Sequence, residues 1–193
     1  MKKSTLIIIG VVAVALLWAF SAYNGMVKKQ EGATTALADV QATYQRRADL
    51  LPNLTKTVKA YAKHENETFQ AVTKARAEAT QIKLDPENLT PEKLAAFQKA
   101  QGNVASALGR LMAIAENYPE LKASENFKDL QVQLEGTENR INEARQKYNA
   151  AVQTYNQSVR TMPNVLIAGM LGFDRMSKFE AAAGAEKAPE LDL

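Results

Sequence analysis

From Phe127 onward, apolar and small residues recur in alternating steps of three and four: Phe127, Leu130, Leu134, Thr137, Ile141, Ala144, Tyr148, Ala151, Tyr155 and Val159. A half-buried strand would alternate every second residue, whereas this spacing keeps one seam of a helix against a neighbour. A second segment repeats it at Leu94, Phe97, Gln101, Val104, Leu108, Leu111 and Ala115. A third runs through Leu37, Val40, Tyr44, Arg47, Leu51, Leu54, Val58, Tyr61, Glu65, Thr68, Val72 and Ala75. Three stripes of this kind predict an all-α chain, a bundle of long antiparallel helices with heptad packing and a left-handed twist.

The breaks between stripes are legible. Asp85-Pro86 stops one helix, and Thr90-Pro91-Glu92 starts the next with an N-cap, a proline at the first helical position and an early acid. Asn117 and Pro119 end that second helix, and Ser124 can cap the third. Pro52 falls inside the longest stripe, where a proline removes a hydrogen bond and kinks a helix. The register nevertheless passes through it from Tyr44 to Val58 without a slip, and Leu50 and Leu51 suit an exposed reversal poorly. The expectation is one long kinked first helix reaching Ile82; the alternative is a four-helix up-and-down bundle with a reversal at Pro52. With the long helix, the stretch from Tyr23 to Leu50 rises above the bundle as a stalk. Its stripe of Leu37, Val40 and Tyr44 then lacks a partner within the chain, which predicts a homo-oligomer.

The opening "MKKSTLIIIGVVAVALLWAFSAY" carries no charge from Leu6 to Phe20. A membrane-crossing helix needs about 17–25 apolar residues, and Ser4 to Tyr23 supplies them, with Trp18 and Tyr23 suited to an interface. The expectation is a transmembrane anchor over 1–23, a bundle domain over 24–183 and a disordered tail over 184–193. The competing reading is a cleaved signal peptide ending near Ala19-Phe20-Ser21. Lys2 and Lys3 on one side face Lys28 and Lys29 on the other, so the positive-inside count nearly ties.

The net charge of +3 builds no basic run, because Lys/Arg and Asp/Glu alternate along nearly every segment, and nucleic acid is not an expected partner. With no cysteine and one histidine, thiolate chemistry, Cys-based metal sites and a helical di-iron site are excluded. No Gly-rich phosphate loop is present, so no cofactor is expected.

The candidates that remain are interaction residues. Arg46, Arg47 and Asp49 form a charged cluster on and beside the stripe. Arg47 reads either as an anion clamp or as a register-fixing ion pair to a neighbouring helix or to the "YPELKASE" loop. His64 with Glu65 reads as a partly exposed helix pair. Glu135 and Glu138 are candidate paired carboxylates, but Glu138, Arg140, Glu143 and Arg145 alternate in sign as a solvated face does. Tyr148-Asn149 and Tyr155-Asn156 lie one heptad apart, their rings expected in the core and their hydroxyls in search of partners. The segment "VLIAGMLGF", with Val165, Leu166 and Phe173, either covers the bundle end or touches a partner or a membrane.

Tyr23-Asn24 after an apolar start, "RRADLLPNLTKTVKAYAKHE", "LMAIAENYPELKASENFKDLQVQLEGTENRINEARQKYN", "AVQTYN" and "GFDRMSKFEA" give the chain, from Tyr23 to Ala181, a close resemblance to the bacterial LemA family. The resemblance implies a helical bundle behind a single N-terminal membrane segment, and no enzymatic activity, cofactor or catalytic residue. Some relatives look like lipoproteins, which implies a bundle outside the cytoplasm, on the periplasmic side of the inner membrane. Others resemble magnetosome membrane proteins linked to membrane remodelling, which implies a scaffold. The expected role is therefore a non-enzymatic, self-associating scaffold held in the lipid bilayer. The rivals are an accessory subunit of a membrane protease or transporter, and a ligand-binding or enzymatic bundle using Arg46, Arg47, Glu135 and Glu138.

Overall fold

The computed structural model describes residues 3–180, so the expected tail over 184–193 lies outside the described residues. Among the described residues six α-helices follow one another: α1 (Lys3–Tyr61), α2 (Asn66–Gln81), α3 (Pro91–Glu116), α4 (Pro119–Ala123), α5 (Glu125–Arg160) and α6 (Val165–Ala168). No strand occurs among the described residues. The all-α expectation holds, and α1, α2, α3 and α5 form an antiparallel bundle.

α1 passes through Pro52 without reversing, as the unbroken register requires. Pro52 has no N–H to return to the carbonyl of Ala48, one turn earlier. Arg76 of α2 fills that gap, its Nε donating to the Ala48 oxygen at 3.0 Å. The neighbouring helix thus satisfies the acceptor that the proline leaves open.

The long first helix does not continue to Ile82. It ends at Tyr61, and the chain reverses through Ala62–Glu65, so that α2 runs back along α1. The run Lys63-His64-Glu65-Asn66 offers no apolar residue to a core and ends in a weak helix former. Burial records a local slip: Ala62 is buried in place of Tyr61 and Phe69 in place of Thr68, and the expected register resumes at Val72 and Ala75 and continues to Ala79. The four-helix topology is therefore correct with its turn some ten residues beyond Pro52.

The other boundaries fall where the caps place them. Thr90 Oγ1 accepts from the Lys93 amide at 3.3 Å, and Ser124 Oγ accepts from the Phe127 amide at 3.3 Å. All seven stripe residues of α3 are buried.

The stalk is not unpartnered. At 36 residues, α5 overshoots the start of α3 and runs antiparallel beside α1 until Arg160. Leu37 and Val40 are fully buried and Tyr44 nearly so, in a cluster with Ile141, Ala144, Tyr148 and Val152 of α5, Leu94 and Phe97 of α3, and Phe179. The stripe therefore offers no free face to a second copy, and the homo-oligomer expected from it loses its basis. The molecule has two parts among the described residues: a distal four-helix bundle, and a proximal arm, next to the apolar run, that is built on α1 and α5 and reached only by the first turns of α3.

Candidate functional site

Where arm and bundle meet, Arg47 is buried. Its guanidinium donates from Nη1 to the Glu138 carboxylate at 3.0 and 3.3 Å. Nη2 donates to the Gln101 carbonyl at 2.9 Å and to Gln101 Oε1 at 2.7 Å. Its Cζ also lies 5.1 Å from the centroid of the Tyr44 ring. One side chain of α1 is thereby fixed to both α3 and α5, as a planar fork permits. Nε, also buried, has no hydrogen-bond partner among the described residues. The ion-pair reading of Arg47 stands, with the partner on a helix rather than in the "YPELKASE" loop. Glu138, read as part of a solvated face, is corrected: its side chain is about half covered, and its carboxylate faces the interhelical seam.

The arm is closed by residues 173–180, which run in extended form along α5. The Tyr148 hydroxyl donates to the Ser177 carbonyl at 2.7 Å, and Tyr155 to the Asp174 carbonyl at 2.8 Å. Each following asparagine makes a reciprocal pair with one strap residue. Asn149 Nδ2 donates to the Phe179 carbonyl and its Oδ1 accepts from the Phe179 amide, both at 2.9 Å. Asn156 does the same with Met176 at 2.8 and 2.9 Å. The repeat has a simple origin: one heptad rises about 10.5 Å along a helix, and three extended residues span about 10 Å. A Tyr-Asn pair every seventh residue thus meets the strap every third. Phe179 buries its ring against Tyr148 and Phe97, with centroids at 5.2 and 6.3 Å, and Arg145 stacks on it while donating to the Glu180 carbonyl. Burial pushes the Tyr148 hydroxyl up to about 12. Burial, and then the nearby Asp174 carboxylate, raise Tyr155.

The remaining sequence candidates disperse. Arg46 and Asp49 are exposed; Asp49 accepts from Gln45 at 2.8 Å and lies 4.0 Å from Arg76. Glu135 is exposed and accepts from Gln131, one turn earlier. Arg46, Arg47, Glu135 and Glu138 therefore do not converge on one cleft. His64 stands exposed in the reversal and not on a helix face. Among the described residues no group of three or more His, Asp or Glu is placed to hold a metal. Phe173 points inward, packing edge-on against Tyr23 at 5.5 Å, whereas Val165 and Leu166 are exposed. The strap itself was missed by sequence reasoning, although its partners carried a signal in the repeated Tyr-Asn pair.

The geometry defines an all-α bundle carried on a helix that is long and apolar enough to cross a membrane; none of that helix's most apolar window is buried. The LemA family model matches residues 36–193, and the chain belongs to the LemA family. It is similar to the magnetosome protein MamQ of Magnetospirillum gryphiswaldense, 29% identical over 180 residues covering 84% of this chain and 66% of that protein. A magnetosome protein MamQ of Paramagnetospirillum magneticum is likewise 29% identical, covering 82% of this chain and 64% of its own. The protein LemA of Metamycoplasma hominis is 24% identical over 159 residues, covering 82% and 69%. The chain thus spans just under two thirds of the length of the magnetosome relatives.

Proposed function

We propose that the chain is a membrane-anchored structural protein without a reaction of its own, which holds its bundle at a fixed height above the bilayer and organises partner proteins there. One observation carries this reading. α1 is unbroken from the apolar segment to the far end of the bundle, and α5 and the strap seal it along the way. From Tyr23 to Tyr61 such a helix spans about 57 Å. A flexible linker would leave the head free to wander, whereas a packed helix fixes its height and direction. Family membership points the same way.

The continuous helix favours an anchor over a cleaved leader, because α1 runs unbroken through the passable cleavage site at Ala19-Phe20-Ser21 into the folded domain. We place the span as a single pass in the bacterial inner membrane with the bundle on the periplasmic side. Labelling of Val132→Cys by a membrane-impermeant maleimide in intact outer-membrane-permeabilised cells supports that side, and labelling only after lysis contradicts it.

The accessory-subunit reading gains from the distal cleft between α1 and α5, where Lys56, Tyr61, Asp129 and Leu130 line an open cavity of about 570 Å³. A photo-crosslinking residue at Tyr61 in the full chain tests both readings. Adducts with one other membrane protein support the accessory subunit, and adducts with a second copy support self-association through a surface other than the buried stripe. No adduct there or at Val132 contradicts the organising role.

A further inference from the structure

Between Arg160 and Asp174 the chain carries no charged residue. This segment leaves the end of α5, forms α6 and a 3-10 turn over Gly169–Leu171, and turns into the strap at Gly172, whose φ of 76° suits glycine. The Phe173 amide donates to the Ala168 carbonyl at 3.0 Å, closing the turn. Ala168 and Phe173 face inward, with Met26, Tyr155 and Val159. Met162, Val165, Leu166, Met170 and Leu171 face outward, Met170 being 85% exposed. Such a group of exposed apolar side chains needs a partner.

Its position says which. Phe173 packs on Tyr23, where the apolar run ends. Going up α1 from buried Met26, Ala22, Ala19 and Trp18 are of intermediate exposure, while residues 4–17 are exposed. Burial of this face therefore fades out between Tyr23 and Trp18, which lie about 7.5 Å apart along the helix. That matches the depth of about 5–10 Å at which interfacial elements sit in the headgroup and acyl boundary. On the other side of this level stand the exposed Lys28, Lys29, Arg160, Arg175 and Lys178, against Glu31 and Asp174. This basic surplus suits anionic headgroups.

We propose that the turn from Met162 to Leu171 inserts into the same bilayer that α1 crosses, as a second, monotopic contact that fixes the tilt of the arm. The inference rests on the membrane anchor of the preceding section, and it adds a lipid-binding surface that the anchor does not require. A second contact set to one side of the span resists tilting, which a single span does not.

The chain has no cysteine, so single-site spin labelling is clean. The full-length protein is reconstituted in vesicles of phosphatidylethanolamine and phosphatidylglycerol with a nitroxide at Leu166→Cys, Met170→Cys, Leu16→Cys or Val132→Cys. Collision with oxygen is compared with collision with a water-soluble nickel chelate. The expected result is a several-fold preference for oxygen at 166 and 170, close to that at 16, with 132 in water. Water-like values at 166 and 170 while 16 lies in lipid overturn the insertion and leave the anchor intact. Exclusion of both reagents from 166 and 170 also overturns it, because protein then covers the turn. A water-like Leu16→Cys label overturns the anchor, and the insertion with it.

Discussion

The distal bundle and the membrane-proximal arm solve one problem in two ways. In the bundle, four helices surround aliphatic and aromatic side chains such as Leu54, Val58, Phe69, Val104, Leu111 and Phe127, and helical hydrogen bonds satisfy the backbone apart from the Ala48 carbonyl that Arg76 takes. The arm is built on two long helices, and beyond the first turns of α3 an extended strap takes the place of the others. An extended segment cannot bond to itself, so its amides and carbonyls need partners from outside. The Tyr148-Asn149 and Tyr155-Asn156 pairs provide them. A helix can thus be replaced in a core, but the substitution converts apolar positions into polar ones at heptad spacing.

Arg47 sits at the border, and its loss is expected to have the widest effect. Arg47→Ala leaves the buried Gln101 acceptors unmatched and opens a void, a loss of about 3 kcal/mol, to which the half-exposed Glu138 carboxylate, free to rehydrate, adds little. Because Arg47 ties α1 to both α3 and α5, urea denaturation should show bundle and arm weakened together. Phe179→Ala should separate them. Removing a buried ring costs about 3 kcal/mol or more, but only the strap and arm should open, seen as faster amide exchange over 141–160 and 173–180 with the bundle unchanged.

Smaller effects sharpen the picture inside the bundle. Arg76→Met, which leaves the Ala48 carbonyl unmatched, should cost about 1 kcal/mol. In a Pro52→Ala background the restored N–H supplies that bond, so the same substitution should cost almost nothing. Additivity in this double-mutant cycle contradicts the role given to Arg76.

Tyr148→Phe should cost the arm about 1 kcal/mol at neutral pH. The Tyr148 hydroxyl titrates near 12 in the fold against an ordinary 10.0, so folding favours its neutral form. Its contribution is whole below pH 10.0 and is lost as pH rises towards 12. An alkaline titration followed by exchange over the strap should show release in that window, and Tyr148→Phe should flatten it.

Much of this was legible in the residues. Heptad spacing marks the helices, Thr90 and Ser124 mark their starts, and Arg47 on a stripe marks an ion pair. The reversal at Ala62–Glu65 was not, since no glycine or proline stands there and the stripe runs on in step across it to Val72 and Ala75, which α2 buries. The strap was hidden for another reason. "FDRMSKFE" has no helical or strand period of its own, and its conformation is set by side chains on α5. The stalk appeared bare because its partners were sought in α3, whereas α5 runs on to the membrane end.

Amide hydrogen exchange of the full chain in detergent micelles tests the central claim most directly, read at Met176 and Phe179, whose N–H groups donate to Asn156 and Asn149. Protection at these two sites comparable with that of α5 over 141–160 is predicted, because the strap is an integral wall of the arm. Exchange there at free-chain rates, with α5 still protected, contradicts it and leaves the arm an open pair of helices.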